Sequence, residues 1–334
     1  MLDDAEVVAA YRADRKADSR VERLKLLSGL LSALLYDLRK NKTLLLMALP
    51  GLALLLVFNY LPMIGSIIAF QDYRAAKGIL GSEWVGFENF RFLFGTGDAW
   101  KLTFRTLAYN ATFIAFDQIG ALTIALFLNE VRSRWLSRVY QSILFIPFFL
   151  SWVVVGYLTF AIFQTEGGAL NRFLINAGME PVRWYGSPQY WPPILVIVNF
   201  WKNIGLSTII YLAGMMAISP EYYEAARIDG ASKWQQIRFV TLPLLMPLVI
   251  IIVLLGMGRI LRADFGLFYN VTQNSSQLFT TTDVLDTYVF RALRSQGNVA
   301  MASAAGFYQS LVSFLLVIGA NWLVRRVDPE RALF

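Results

Sequence analysis

The sequence predicts an all-α membrane protein that crosses the bilayer six times. Three observations carry this. Hydrophobic residues make up 57% of the chain and charged residues only 16%, against about a quarter charged in soluble domains. The deficit is concentrated in long apolar runs, and a bilayer core about 30 Å thick is what demands about 20 such residues in a row. Lys and Arg gather at the ends of those runs, where they meet anionic headgroups and fix topology.

The spans are drawn as Leu44–Phe70, interrupted by Pro50 and Pro62, then Leu107–Leu128, Tyr140–Phe163, Pro193–Ile218, Pro243–Leu261 and Ala300–Val324. Each is long enough to cross at a rise of about 1.5 Å per residue. The fifth is the clearest, since nothing charged interrupts it before Arg259. The second is the weakest, with Asp117 and Gln118 near its middle.

Orientation follows from the basic residues. With both termini inside, segments 1–43, 129–138, 219–242 and 325–334 hold eighteen Lys and Arg, and the three outer segments hold ten over a slightly greater length. That bias predicts N-in, C-in topology, with Arg132, Arg134 and Arg138 as its firmest local support. Domain organisation follows: a cytoplasmic segment 1–43, a six-span domain 44–324 and a cytoplasmic tail 325–334. Within the first segment, Leu24, Leu27, Leu31 and Leu34 recur at helical spacing, the pattern of an amphipathic helix on the headgroups or of a solvated tail. No apolar core followed by a small-residue cleavage site marks a removable leader.

Composition also excludes chemistry. The chain has no Cys and no His, so thiol nucleophiles, disulfides, Cys or His metal sites and imidazole acid–base catalysis are ruled out. No GxxxxGK[ST] phosphate loop is present, so any ATP hydrolysis, with its Mg, belongs to another subunit. The net charge of +7 shows no basic stripe with interleaved aromatics, so nucleic acid is not a partner.

The informative segment is the cytoplasmic loop 219–242. Ser219 caps a helix that begins at Pro220, with Glu221 and Glu224 toward its positive end. Ala225 and Ala226 form helix and let another backbone approach closely. Gly230 permits a sharp turn, and a second short helix, about Ser232–Val240, leads to Pro243 at the start of the next span. Such an elbow can pass a push from a cytoplasmic protein into two spans at once.

The runs Glu224-Ala225-Ala226, Asp229-Gly230-Ala231 and Thr241-Leu242-Pro243 resemble the signature loop of binding-protein-dependent ABC importer permeases. The pieces Leu49-Pro50-Gly51, Tyr60-Leu61-Pro62-Met63, Ala69-Phe70-Gln71-Asp72-Tyr73, Trp84-Val85-Gly86-Phe87-Glu88-Asn89-Phe90 and Asp283-Val284-Leu285-Asp286-Thr287-Tyr288-Val289-Phe290 resemble its carbohydrate branch. More narrowly, they resemble the LplB and polygalacturonan-permease subgroup, which handles complex oligosaccharides and includes an alginate importer. The match covers roughly residues 40–326.

The resemblance implies the type I importer fold in a bacterial inner membrane and import of oligosaccharides, acidic ones such as alginate among them. It implies as partners a second related permease, two copies of an ATPase and an external solute-binding protein. Glu224 would contact a basic ATPase residue, Ala225 and Ala226 would pack in its groove, and Gly230 would set the elbow, with Asp229, Ala231 and Pro243 completing the motif.

Asp117, Gln118, Asn199, Lys202 and Asn203 fall at membrane depth and should face protein or a wet cavity. They read as lining a sugar path or as joining helices, for instance through a Lys202–Asp117 pair; the structural reading leads. Trp152, Tyr157 and Trp201 read as sugar-stacking faces or as members of the ordinary interfacial aromatic belt. The competing functions are an ion-coupled secondary transporter, a membrane-embedded sugar-processing enzyme and a scaffold. The sequence offers none of the paired carboxylates, metal ligands or repeated halves that the first two use.

Overall fold

The computed structural model describes residues 40–95 and 98–327; the proposed N-terminal amphipathic helix and the last seven residues of the tail lie outside them. The chain divides into two compact units, Met1–Gly65 and Ser66–Phe334. In the first, helix α1 (Lys42–Leu55) holds Pro50 in its interior and continues through a π-turn, Leu56–Tyr60, into the short helix Leu61–Ile64. A proline at position 62 cannot donate to the carbonyl one turn back, and the wider π-turn absorbs that lost bond. The two prolines therefore do not break the first span: the helical stretch Lys42–Phe70 is long and apolar enough to cross a membrane.

The second unit opens on a two-stranded antiparallel hairpin, β1 (Gln71–Asp72) and β2 (Glu83–Trp84), with Gln71 opposite Trp84. Its helices include α2 (Asp98–Asn129), α3 (Arg134–Phe145), α4 (Trp152–Phe163), α5 (Ala169–Asn176), α6 (Trp191–Met216), α7 (Pro220–Ile228), α8 (Lys233–Gln236), α9 (Leu242–Met257), α10 (Leu285–Gln296) and α11 (Val299–Val327). Five helical stretches of the described chain are long and apolar enough to span, and α3 with α4 makes a sixth when the pair is taken as one span.

That third span is not the straight rod the apolar run suggests. Its halves, Arg134–Phe149 and Trp152–Phe163, meet at 98°. The cause is local: Pro147 lies in a 3-10 turn, Ile146–Phe149, and Ser151 then caps a new helix by accepting from the Val154 amide at 3.3 Å.

The core lies where α2, α6 and α9 meet, built on Ala121, Ala125, Ile204, Tyr211, Leu212 and Leu245. Small residues allow close approach along these seams. A side chain at Gly205 would run into the backbone of Leu144 and Phe145, so α6 touches the end of α3 main chain to main chain. Away from the elbow, a second cluster joins Tyr109, Val155, Trp191, Leu195, Leu267 and Phe268.

Candidate functional site

The elbow between α6 and α9 is built by short-range rules. Ser219 Oγ accepts from the Glu221 amide at 3.4 Å, with Pro220 in the first turn of α7. α7 ends at Ile228 with Asp229 as its C-cap, and Gly230 follows at φ +78, a conformation that a Cβ would strain. The Ala231 amide reaches back to the Ala226 carbonyl at 2.9 Å and closes the turn. Ser232 then opens α8 with a capping box: Gln235 donates its amide to Ser232 Oγ, and the Ser232 amide donates to Gln235 Oε1 at 2.7 Å.

The outcome beyond α8 differs from the sequence expectation. Pro243 does not begin a new helix; a π-turn, Ile237–Thr241, fuses α8 to α9, and Lys233–Met257 is one continuous helical stretch. The proline's missing donor is again absorbed by the wider turn.

Glu224, Ala225, Asp229, Gly230 and Pro243 are exposed, and Ala226 and Ala231 are half-buried. Around them Tyr222, Ile228 and Trp234 also stand open, Ile228 at 86% exposure. An open apolar rim around small residues is the form of a docking surface. On its other side the elbow is held by two bonds within itself and by one ion pair to the bundle. Tyr223 and Thr241 share a hydroxyl hydrogen bond at 3.0 Å, Gln236 Nε2 donates to the Ala231 carbonyl at 3.0 Å, and Lys233 Nζ reaches Glu130 at the end of α2 at 2.9 Å. These fastenings were not read from the sequence, where Lys233 counted only as a cytoplasmic charge. A cavity of about 350 Å3 lies under the elbow, with Arg132 and Arg227 on its lining.

The polar residues at membrane depth separate into three groups. Asp117 Oδ2 accepts from Ser207 Oγ at 2.6 Å and Gln118 Oε1 accepts from the Tyr211 hydroxyl, both joining α2 to α6. Asp117 Oδ1 is buried without a hydrogen-bond partner. Asn203 Nδ2 donates to the backbone and side-chain oxygens of Asn199, one turn earlier in α6.

Lys202 does not pair with Asp117. It is buried, donates to the Phe148 carbonyl at 2.9 Å and lies 5.1 Å from the Trp152 ring centroid, filling the break between α3 and α4. Trp152 in turn donates its indole N–H to Asp264 Oδ2 at 2.8 Å, a partner no sequence signal singled out. Trp201 lies with Leu158 and Ile197 on an almost wholly apolar groove between α4 and α6, and Tyr157 is exposed on α4.

No group of three His, Cys, Asp or Glu among the described residues is placed to hold a metal. The described chain is thus a helical protein with five or six stretches long and apolar enough to span a membrane, and its elbow is exposed between two of them.

Comparison with known proteins identifies the family. Residues 121–329 match the family described as binding-protein-dependent transport system inner membrane component. The protein LplB of Bacillus subtilis is 33% identical over 293 residues, 88% of this chain and 92% of that one. The polygalacturonan/rhamnogalacturonan transport system permease protein YteP of the same organism is 35% identical over 297 residues, 89% of this chain and 92% of its own. A chain of a bacterial alginate ABC transporter, solved in complex with an alginate pentasaccharide-bound periplasmic protein, superposes with a TM-score of 0.78 at 30% identity, over 87% of this chain and 97% of that chain. This chain belongs to the family of binding-protein-dependent transport system inner membrane components, the permeases of ABC importers, and is not itself an enzyme.

Proposed function

We propose that this chain is one of two related permeases in a bacterial cytoplasmic-membrane importer for oligosaccharides, acidic ones such as alginate among them. An external solute-binding protein delivers the sugar, and two copies of an ATPase drive the cycle. The permease holds no cofactor; ATP and Mg belong to the ATPase. The observation that carries the reading is the elbow: a capped helix with an open, small-residue and apolar rim, tied to α2 through Glu130 and continuous with α9.

Each motif residue then has a physical task. Glu224 is exposed on α7 and is suited to a charge-assisted contact with a basic ATPase residue. Ala225 and Ala226 leave room for the partner's backbone. Asp229, Gly230 and Ala231 form the turn that fixes α7 against α8. The substrate class is supported by relatives whose names refer to polygalacturonan, rhamnogalacturonan and alginate, all acidic polymers.

Asp117, with an oxygen left without a partner, and Lys202 with Trp152 are the polar groups nearest to a role in passage of the sugar. Glu224→Lys should insert and assemble as wild type does, while ATPase stimulation by loaded binding protein is abolished. Full stimulation in that variant would remove the elbow's assignment.

A further inference from the structure

The groove between α3 and α6 at the elbow end sets unlike walls against each other. On α3, Arg134, Ser137, Arg138 and Gln141 line it, at the i, i+3, i+4, i+7 spacing of one helix face. Across a cavity of about 540 Å3, α6 presents Ile209, Leu212, Ala213 and Met216 at the same spacing. Gln141 donates to Ser137. The guanidinium groups of Arg134 and Arg138 have no hydrogen bond, ion pair or ring contact with any described residue. Meanwhile the outward side of α3 exposes Trp135 and Ile143, at 70% and 57%, as a helix at a membrane interface does.

A wall with two free cations facing an apolar wall needs an occupant with an anionic head and a hydrocarbon body. We infer that this groove binds one anionic phospholipid from the leaflet at the elbow end, its phosphate between Arg134 and Arg138 and an acyl chain along Leu212 and Met216. Arginine suits a phosphodiester because its fork of donors matches paired phosphate oxygens. Because α3 is the inner half of the bent third span and Gly205 of α6 rests on its end, the lipid would brace the two helices that flank the elbow's root. The site is independent of what the importer carries.

The test uses the assembled importer, purified and equilibrated with an equal mixture of phosphatidylglycerol and phosphatidylcholine, with retained lipids counted by native mass spectrometry. Wild type should retain phosphatidylglycerol selectively. Arg134→Gln/Arg138→Gln should hold it about thirtyfold more weakly, the factor two membrane-surface arginines confer, and Arg134→Lys/Arg138→Lys should keep most of the selectivity. Ala213→Trp fills the groove from the opposite wall and should also expel the lipid, so the answer does not rest on the arginine variant assembling. Inorganic phosphate should not displace it. Equal retention of both lipids by wild type, unchanged retention in both the glutamine and the tryptophan variants, or displacement by phosphate alone would overturn the proposal.

Discussion

Lys233 Nζ lies 2.9 Å from a Glu130 carboxylate oxygen, joining the first residue of α8 to the turn that ends α2. The pair spans 103 residues of sequence and is the described ion pair that ties the elbow to another span. Both partners are substantially exposed, with side chains 69% and 48% accessible. Such pairs add at most about 1 kcal/mol to stability. Its value is positional.

Glu130→Lys should therefore leave the melting temperature nearly unchanged and lower coupled transport, because the elbow loses one of its fastenings. The exchange Glu130→Lys/Lys233→Glu should restore coupling. A single variant with normal coupling, or a double variant no better than the single, would show that the clasp is incidental.

Gly205→Ala should be costly. The added carbon would lie 2.6 Å from the Leu144 carbonyl carbon and 2.8 Å from the Phe145 Cα, backbone that cannot step aside. Overpacking of this kind costs about 1–3 kcal/mol, read as a fall in thermal stability in detergent. Gly306→Ala and Gly319→Ala in α11 meet nothing within 4 Å and should be neutral or mildly stabilising.

Lys202→Met should destabilise, since it strips the donor from the Phe148 carbonyl and the cation from Trp152. A half-buried carbonyl left unpaired costs up to about 1–3 kcal/mol. The check separates two roles. Loss of thermal stability is expected; unchanged stability with lost oligosaccharide uptake would instead make Lys202 a transport residue.

Asp286 gives a pH dependence. Burial holds its carboxyl above the usual range, opposed by hydrogen bonds from the Ala263 amide and Gln309 and by nearby Arg262. A raised native value means that the folded protein binds this proton more tightly than the unfolded chain. The resulting stability is complete below the ordinary Asp value and is lost as pH rises through the raised one. Relative to Asp286→Asn, the melting temperature of wild type should decline as pH climbs above about 4. Parallel profiles for the two proteins would contradict it.

Much of this was written in short-range sequence. Ser219-Pro220, Gly230 and Ser232 each act on neighbours a few residues away, so the elbow's helices and turn could be read directly. The bend in the third span was legible too, in Pro147 and the Ser151 cap, but the apolar run around them obscured it. Other features depend on which helices meet and in what register. Lys202 finding Phe148 rather than Asp117, and Trp152 finding Asp264 across 112 residues, follow from tertiary packing that no local pattern encodes. The π-turns lie between: a proline announces a lost bond, but not whether the helix stops or widens.

Widening rather than stopping has a mechanical result. An unbroken rod from Lys233 to Met257 acts as a lever of 25 residues, about 37 Å long, with its short arm inside the elbow. Pivoting the whole rod by about 5° about its elbow end would swing the far tip by about 3 Å, enough to exchange one side-chain contact for another. Seven residues past that tip sits Asp264, gripping Trp152.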